Sequence, residues 1–88
     1  MKTRDDIKDT IIELLHKEFE WIDGQIDSEE VALADFDIDN IDKIMFVLSL
    51  EDYFNIEITD EVIVRDWKIV KDIVNYIEVA LQNKIGEE

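Results

Sequence analysis

Side chains that could do covalent or metal chemistry are few in this 88-residue chain. His16 is the single histidine, Ser28 and Ser49 are the only serines, and there is no cysteine. A nucleophile needs a base beside it and donors aimed at the oxyanion, and neither serine lies in a motif that supplies them. His16 falls among Lys17 and Glu18 on a helical pattern and is read as a solvated helix residue. Carboxylates number 24 with the aspartates and glutamates together, too many for any acid/base pair to stand out. The spacing Asp35-x-Asp37-x-Asp39 starts like a calcium loop, because carboxylates at the first, third and fifth positions are what a hard cation needs. The rest disagrees: the sixth position is Asn40 where a sharp turn needs glycine, and the twelfth is Phe46 where a bidentate glutamate is needed. Weak, nonspecific divalent binding by an acidic loop is what remains. No glycine-rich phosphate cradle or dinucleotide fingerprint is present.

The elements that must position these groups are helical. Thr3 can cap a first helix over about 5–19, with Asp5 and Asp6 in its opening turn and Ile7, Ile11, Leu14, Leu15, Phe19 and Ile22 on one side. Asp23-Gly24 supplies a stop. Residues 24–39 lose periodicity and form a long loop with apolar anchors at Ile26, Val31, Leu33 and Phe36, and Asp27-Ser28-Glu29-Glu30 can cap a single turn within it. So long a loop favours a bundle with one long crossover over a plain up-down bundle. Asp39 then caps a second helix over about 40–54, with Asp42 near its positive end.

That second helix carries two apolar stripes. Phe46, Val47, Leu50 and Phe54 form one, and Ile41, Ile44, Met45 and Leu48 form the other. So small a protein cannot bury both, so part of the second stripe is expected to meet a loop, a ligand or a partner. Asn55-Ile56-Glu57-Ile58 reads as an extended connector, and Thr59 as the N-cap of a short third helix starting at Asp60 and Glu61. Val62, Ile63 and Val64 are β-branched, so packing must hold that helix. A fourth helix over about 68–83 carries Val70, Ile73, Val74, Ile77, Leu81 and Ile85 on one stripe. With no proline, no repeat and glycine only at predicted stops, residues 1–88 form one domain.

Composition narrows the partners. Hydrophobic residues make up 47% and charged ones 38%, a soluble globular balance. The formal charge of −15 repels phosphate backbones and anionic lipid and attracts basic protein surfaces, so nucleic acid and membrane insertion are not expected and a basic patch on a protein partner is. Lys2 and Arg4 are followed by Asp5, Asp6 and Lys8 where an export signal would be apolar, which points to the cytoplasm. The chain is expected to be a monomer.

The order of parts, with Asp39-Asn40-Ile41-Asp42 opening the second helix, then the string from Glu51 to Glu61 and the closing Val70-Lys71-Asp72-Ile73-Val74-Asn75-Tyr76-Ile77, resembles the acyl carrier protein family over essentially the whole chain. The resemblance implies an all-α, acyl-carrier-like four-helix bundle with a long loop between its first two helices and a short third helix. It also implies a place in fatty acid or polyketide biosynthesis. In that family the motif at this point is Asp-Ser-Leu, and 4'-phosphopantetheine becomes attached to the serine. Here the matching triplet is Asp39-Asn40-Ile41, so the attachment position holds an amide with no hydroxyl to activate. As written, the chain has no cofactor; with serine at position 40 it would carry 4'-phosphopantetheine.

The reading is therefore a non-enzymatic module that docks on synthase-, ligase- or transferase-type partners. Ile44 and Leu48 would be buried by the partner, Asp42 and Asp52 would steer it from the rim, and Asp39, Ile41 and Met45 complete the surface. Lys43 and Met45 make this face less negative than the family pattern. One alternative is a genuine acyl, aminoacyl or polyketide carrier whose serine was replaced by Asn40, and another is an acidic divalent-metal-binding helical protein. Arg65-Asp66-Trp67 has some likeness to D-alanyl and related aminoacyl carriers, but Trp67 is read first as filling space between the third and fourth helices.

Overall fold

A computed structural model describes the backbone of residues 3–86 and the side chains of residues 3–83. Four helices follow in order: α1 (Arg4–Glu18), α2 (Asn40–Phe54), α3 (Glu61–Asp66) and α4 (Val70–Gly86). Two 3₁₀ turns, Glu20–Ile22 and Leu33–Phe36, lie in the connection between α1 and α2. No strand occurs among the described residues; an isolated antiparallel bridge pairs Ala32 with Ile69.

Three of the four helices begin where a short polar side chain satisfies the first free backbone N–H groups. Thr3 Oγ1 accepts from Asp6 N–H at 3.2 Å while the Asp6 carboxylate accepts from Thr3 N–H at 3.3 Å, a reciprocal cap on α1. The α3 cap is Asp60, not Thr59: its carboxylate accepts from both Val62 and Ile63 N–H, at 3.1 and 3.2 Å. The fourth helix starts at Val70, two residues later than the pattern implies. Lys68 and Ile69 stay outside it because Ile69 pairs with Ala32, and Asp72 accepts from the N–H groups of both. The loop accepts the next donors of α4: Val70 N–H to Val31 O at 3.1 Å and Lys71 N–H to Glu29 O at 2.8 Å.

The core lies between the inner faces of all four helices. Ile7, Ile11, Leu15 and Phe19 meet Phe46, Leu50 and Phe54 from α2, Val64 from α3, and Val70, Ile73, Val74 and Ile77 from α4. Phe19 and Phe46 stack at 5.9 Å between ring centroids. Trp67 is 3% exposed and meets Tyr76 edge-on at 5.7 Å, so it fills the junction of α3 and α4. Leu81 packs at the edge of the core, and the side chain of Ile85, assigned to the same stripe, lies outside the described residues.

The long connection is held as an ordered surface segment. Ile26 and Leu33 are buried as expected and Ile38 joins them, while Val31 and Phe36 are half-buried. Residues 27–30 form only a bend and a turn, not a helical turn. Trp21 does not extend the buried stripe; its indole is exposed and donates to Phe36 O at 2.6 Å, while Ile22 beside it is buried. Arg4 spans from α1 to Glu29 in the loop at 2.7 Å and Glu78 in α4 at 3.4 Å. Hydrogen bonding to Glu29 raises its guanidinium above the ordinary arginine range. His16 is half-buried where a solvated residue was expected, and its Nε2 accepts from Ile26 N–H at 3.2 Å.

These placements separate the two tryptophans. Trp67→Ala is expected to lower the unfolding free energy by about 3–5 kcal/mol through the cavity it leaves. Trp21→Ala should cost about 1 kcal/mol, from an exposed hydrogen bond and ring contact. Equilibrium urea unfolding followed by far-ultraviolet circular dichroism measures both, and equal losses would put both indoles in the core.

Candidate functional site

The candidate site is the N-terminal half of α2 and the loop that delivers it. Leu33 and Ile38 are buried, and Asp37 between the loop's last 3₁₀ turn and Ile38 takes a left-handed conformation, φ 58°, which aspartate tolerates. That kink turns the chain into Asp39, the N-cap. Asp39 Oδ1 accepts from Asp42 N–H at 2.9 Å, and the Asp42 carboxylate accepts from Asp39 N–H at 3.2 Å. Both carboxylates sit at the positive end of the helix dipole, where acidic side chains stabilise a helix.

Asn40 is the first residue of α2 and is exposed. The cap is made by its neighbours, so its amide is left facing outward. The nearest serine along the helix, Ser49, lies two and a half turns further on, about 13 Å along the axis at 1.5 Å per residue. Its hydroxyl donates to Glu18 at 2.8 Å. Ser28 belongs to the loop segment that runs back along α1. Position 40 itself offers an amide and no hydroxyl.

From this end the outer stripe of α2 runs along the surface. Ile41 is 69% and Leu48 67% exposed, with Met45 and Ile44 also on the outside. The opposite stripe, Phe46, Val47, Leu50 and Phe54, is buried. Asp52 is exposed beyond Leu48, whereas Asp42 is half-buried and engaged in the cap. The sequence-derived set of Asp39, Asn40, Ile41, Asp42, Ile44, Met45, Leu48 and Asp52 therefore lies on one helix and its cap, seven of the eight exposed and Asp42 half-buried.

Two further residues extend this surface. Val62 and Ile63 of α3, which packs on α2, are exposed at 67% and 40%. The signal was available: three consecutive apolar residues on a six-residue helix cannot all face inward, and Val64 takes the core position. Lys43 adds a tie that no spacing rule announces, its Nζ donating to Arg65 O at the end of α3 at 3.2 Å. A cation at a helix C-terminus meets its negative pole, so Lys43 braces α3 against α2.

A metal centre finds no support in the geometry. Asp35, Asp37 and Asp39 occupy a 3₁₀ turn, a left-handed residue and a helix cap, and among the described residues no group of three or more histidine, cysteine, aspartate or glutamate side chains converges as metal ligands would. A recess of about 680 Å³ lined by Asn55, Ile56, Glu57, Tyr76 and Val79 opens at the far end of α2, away from Asn40. No helix among the described residues is long and apolar enough to cross a membrane.

Comparison with known proteins gives one answer. No family model matches the chain. An acyl carrier protein of Wolinella succinogenes is 36% identical over 74 residues, which cover 84% of this chain and 91% of that protein. The acyl carrier proteins of Helicobacter hepaticus, 33% identical over 78 residues, and Micrococcus luteus, 30% identical over 80, are matched over 96% and 98% of their lengths. The fold agrees with the crystal structure of an acyl carrier protein from Thermotoga maritima, with a TM-score of 0.75 at 23% identity over 91% of this chain and 92% of that one.

The site predicts two different responses to mutation. Asp39→Ala removes the cap and should cost about 1 kcal/mol. Leu48→Ser should stay within about 0.5 kcal/mol, because the side chain is already in water. Urea unfolding of the two variants checks this, and a Leu48→Ser loss above about 1 kcal/mol would place that side chain in the core.

Proposed function

We propose that this chain, which belongs to the acyl carrier protein family, is a non-enzymatic module that docks on biosynthetic enzymes through α2 and does not itself take up 4'-phosphopantetheine. The observation that carries the reading is the combination at the start of α2: an exposed Asn40 followed by four large apolar side chains that the fold leaves in water. An apolar stripe of this kind costs solubility unless something covers it, and the net charge of −15 favours a partner with a basic surface. Partners of synthase, ligase or transferase type fit the family. The apolar side chains Ile41, Ile44, Met45 and Leu48 supply contact area, and Asp52 with the capping carboxylates Asp39 and Asp42 supplies orientation from the rim.

Attachment requires a nucleophile at position 40. A serine hydroxyl can lose its proton to a base and attack the pantetheine-bearing phosphorus of coenzyme A, forming a phosphodiester as the nucleotide's phosphate oxygen leaves. The Asn40 amide nitrogen has its lone pair delocalised into the carbonyl and offers no such nucleophile. A second reading, a genuine carrier of acyl, aminoacyl or polyketide thioesters in which the serine was replaced, is favoured by one feature. The cap that presents position 40 is complete without any contribution from Asn40 itself.

Intact mass after incubation with coenzyme A and a broad-specificity phosphopantetheinyl transferase tests these readings, on this chain and on Asn40→Ser. The chain as it stands should keep its mass. A pantetheine adduct on it would overturn the assignment of position 40. Modification of Asn40→Ser alone means that the transferase-facing surface survives around a single lost hydroxyl, and modification of neither variant means that the surface has diverged as well.

A further inference from the structure

We propose that His16 is a pH-sensitive latch that closes the inner half of the α1–α2 connection onto α1. The one histidine of the chain does not face open water. It is half-buried at the end of α1, and its Nε2 accepts a hydrogen bond from the backbone N–H of Ile26, 3.2 Å away. Ile26 is 2% exposed and plugs the core beneath the loop. Its N–H has no partner among the backbone bonds of the turn, in which Gln25 N–H bonds to Ile22 O. The imidazole is thus the acceptor that lets this buried segment satisfy its donor.

The contact is part of a seam. Arg4, Lys8, Ile12 and His16 recur at four-residue spacing along α1, and the loop runs antiparallel to them, with Glu29 bonded to Arg4 at one end and Ile26 bonded to His16 at the other. The two ends respond differently to protons. Arg4 is held by Glu29 and by Glu78 of α4 and stays charged at every working pH, so its end opens only when those carboxylates are protonated. At the other end only a neutral ring, with its proton on Nδ1, presents a lone pair at Nε2. The doubly protonated ring carries N–H at both nitrogens and meets Ile26 donor to donor.

The sign follows. The bond needs the neutral ring and is lost when the ring gains its second proton, so Ile26 is released on acidification. The chain on either side of the seam is rich in carboxylates. Glu13 lies one turn back on α1, Glu20 follows in the next turn, and Asp23 and Asp27 flank Ile26 on the loop. They outnumber Lys17 and Lys8 among the charged residues near the seam in sequence. Beyond Val31 the loop is fastened independently, by Leu33 N–H to Lys68 O and Val70 N–H to Val31 O. Glu29 is also fastened, by Lys71 N–H to its carbonyl and by Arg4, so release is confined to residues 23–28 and leaves the α2 cap in place.

Amide hydrogen exchange and imidazole ¹⁵N shifts measured by NMR from about pH 8 to about pH 5.5 test the latch on the intact chain. At the high end the His16 ring should be the Nδ1–H tautomer. As pH falls, the protection factor of Ile26 should drop about tenfold or more, while those of Leu33 and Val70 hold. In His16→Gln, whose side-chain carbonyl accepts at any pH, Ile26 protection should be flat. An Nε2–H tautomer at high pH, a flat Ile26 profile in the unaltered chain, or an equal fall in His16→Gln would each overturn the proposal. The tautomer is read without any substitution, so the test stands even if the variant folds poorly.

Discussion

A helix that is apolar on two faces, in a chain with material for one core, can bury only one of them. Phe46, Val47, Leu50 and Phe54 turn inward and meet α1, α3 and α4, and that choice fixes the outward direction of Ile41, Ile44, Met45 and Leu48. The same rotation presents Asn40 to solvent. Scattered surface leucines are ordinary, since much of any protein surface is apolar. Four large apolar side chains in register along one helix, with Val62 and Ile63 also exposed on the helix packed beside it, are more apolar surface than stability alone accounts for.

In the proposed docking role, charge and apolar surface divide the work by range. The excess of carboxylates acts over a Debye length, about 8 Å at physiological salt, and biases the approach of a basic surface. The apolar stripe acts only on contact. Lys43 reduces the local negative charge next to Asn40, but its ammonium is turned toward the end of α3 and serves the helix pair. Its role in the fold is mechanical: it ties the end of α3 to α2.

Periodicity made the four helices legible, together with the division of α2 into a buried and an outward stripe, because the spacing of apolar residues along a helix is the same quantity that burial acts upon. Boundaries were less so. Thr59 and Asp60 are both capping types, and the choice between them depends on which oxygen reaches the Val62 and Ile63 N–H groups, a matter of backbone direction. The start of α4 was displaced by a backbone pairing between Ala32 and Ile69, which leaves no trace in side-chain pattern. His16 was misread for the same reason: its partner is a main-chain N–H ten residues away across a turn, and main-chain donors are identical at every position. The loop's anchors Ile26 and Leu33 could be found because they are side chains; its fastenings could not.

Position 40 inverts this pattern, since there the sequence is informative and the fold is indifferent. The cap of α2 is closed between Asp39 and Asp42, the kink before it is taken by Asp37, and the core begins at Phe46. None of these contacts passes through the Asn40 side chain, and asparagine at an exposed first helical turn carries little conformational cost. Folding therefore exerts almost no selection on whether a hydroxyl or an amide stands there, and a chain can lose the chemistry of the position while keeping every interaction that presents it. That independence is why a shared fold cannot by itself establish carriage of a prosthetic group, and why the identity of one outward-facing side chain separates a carrier from a module that only docks.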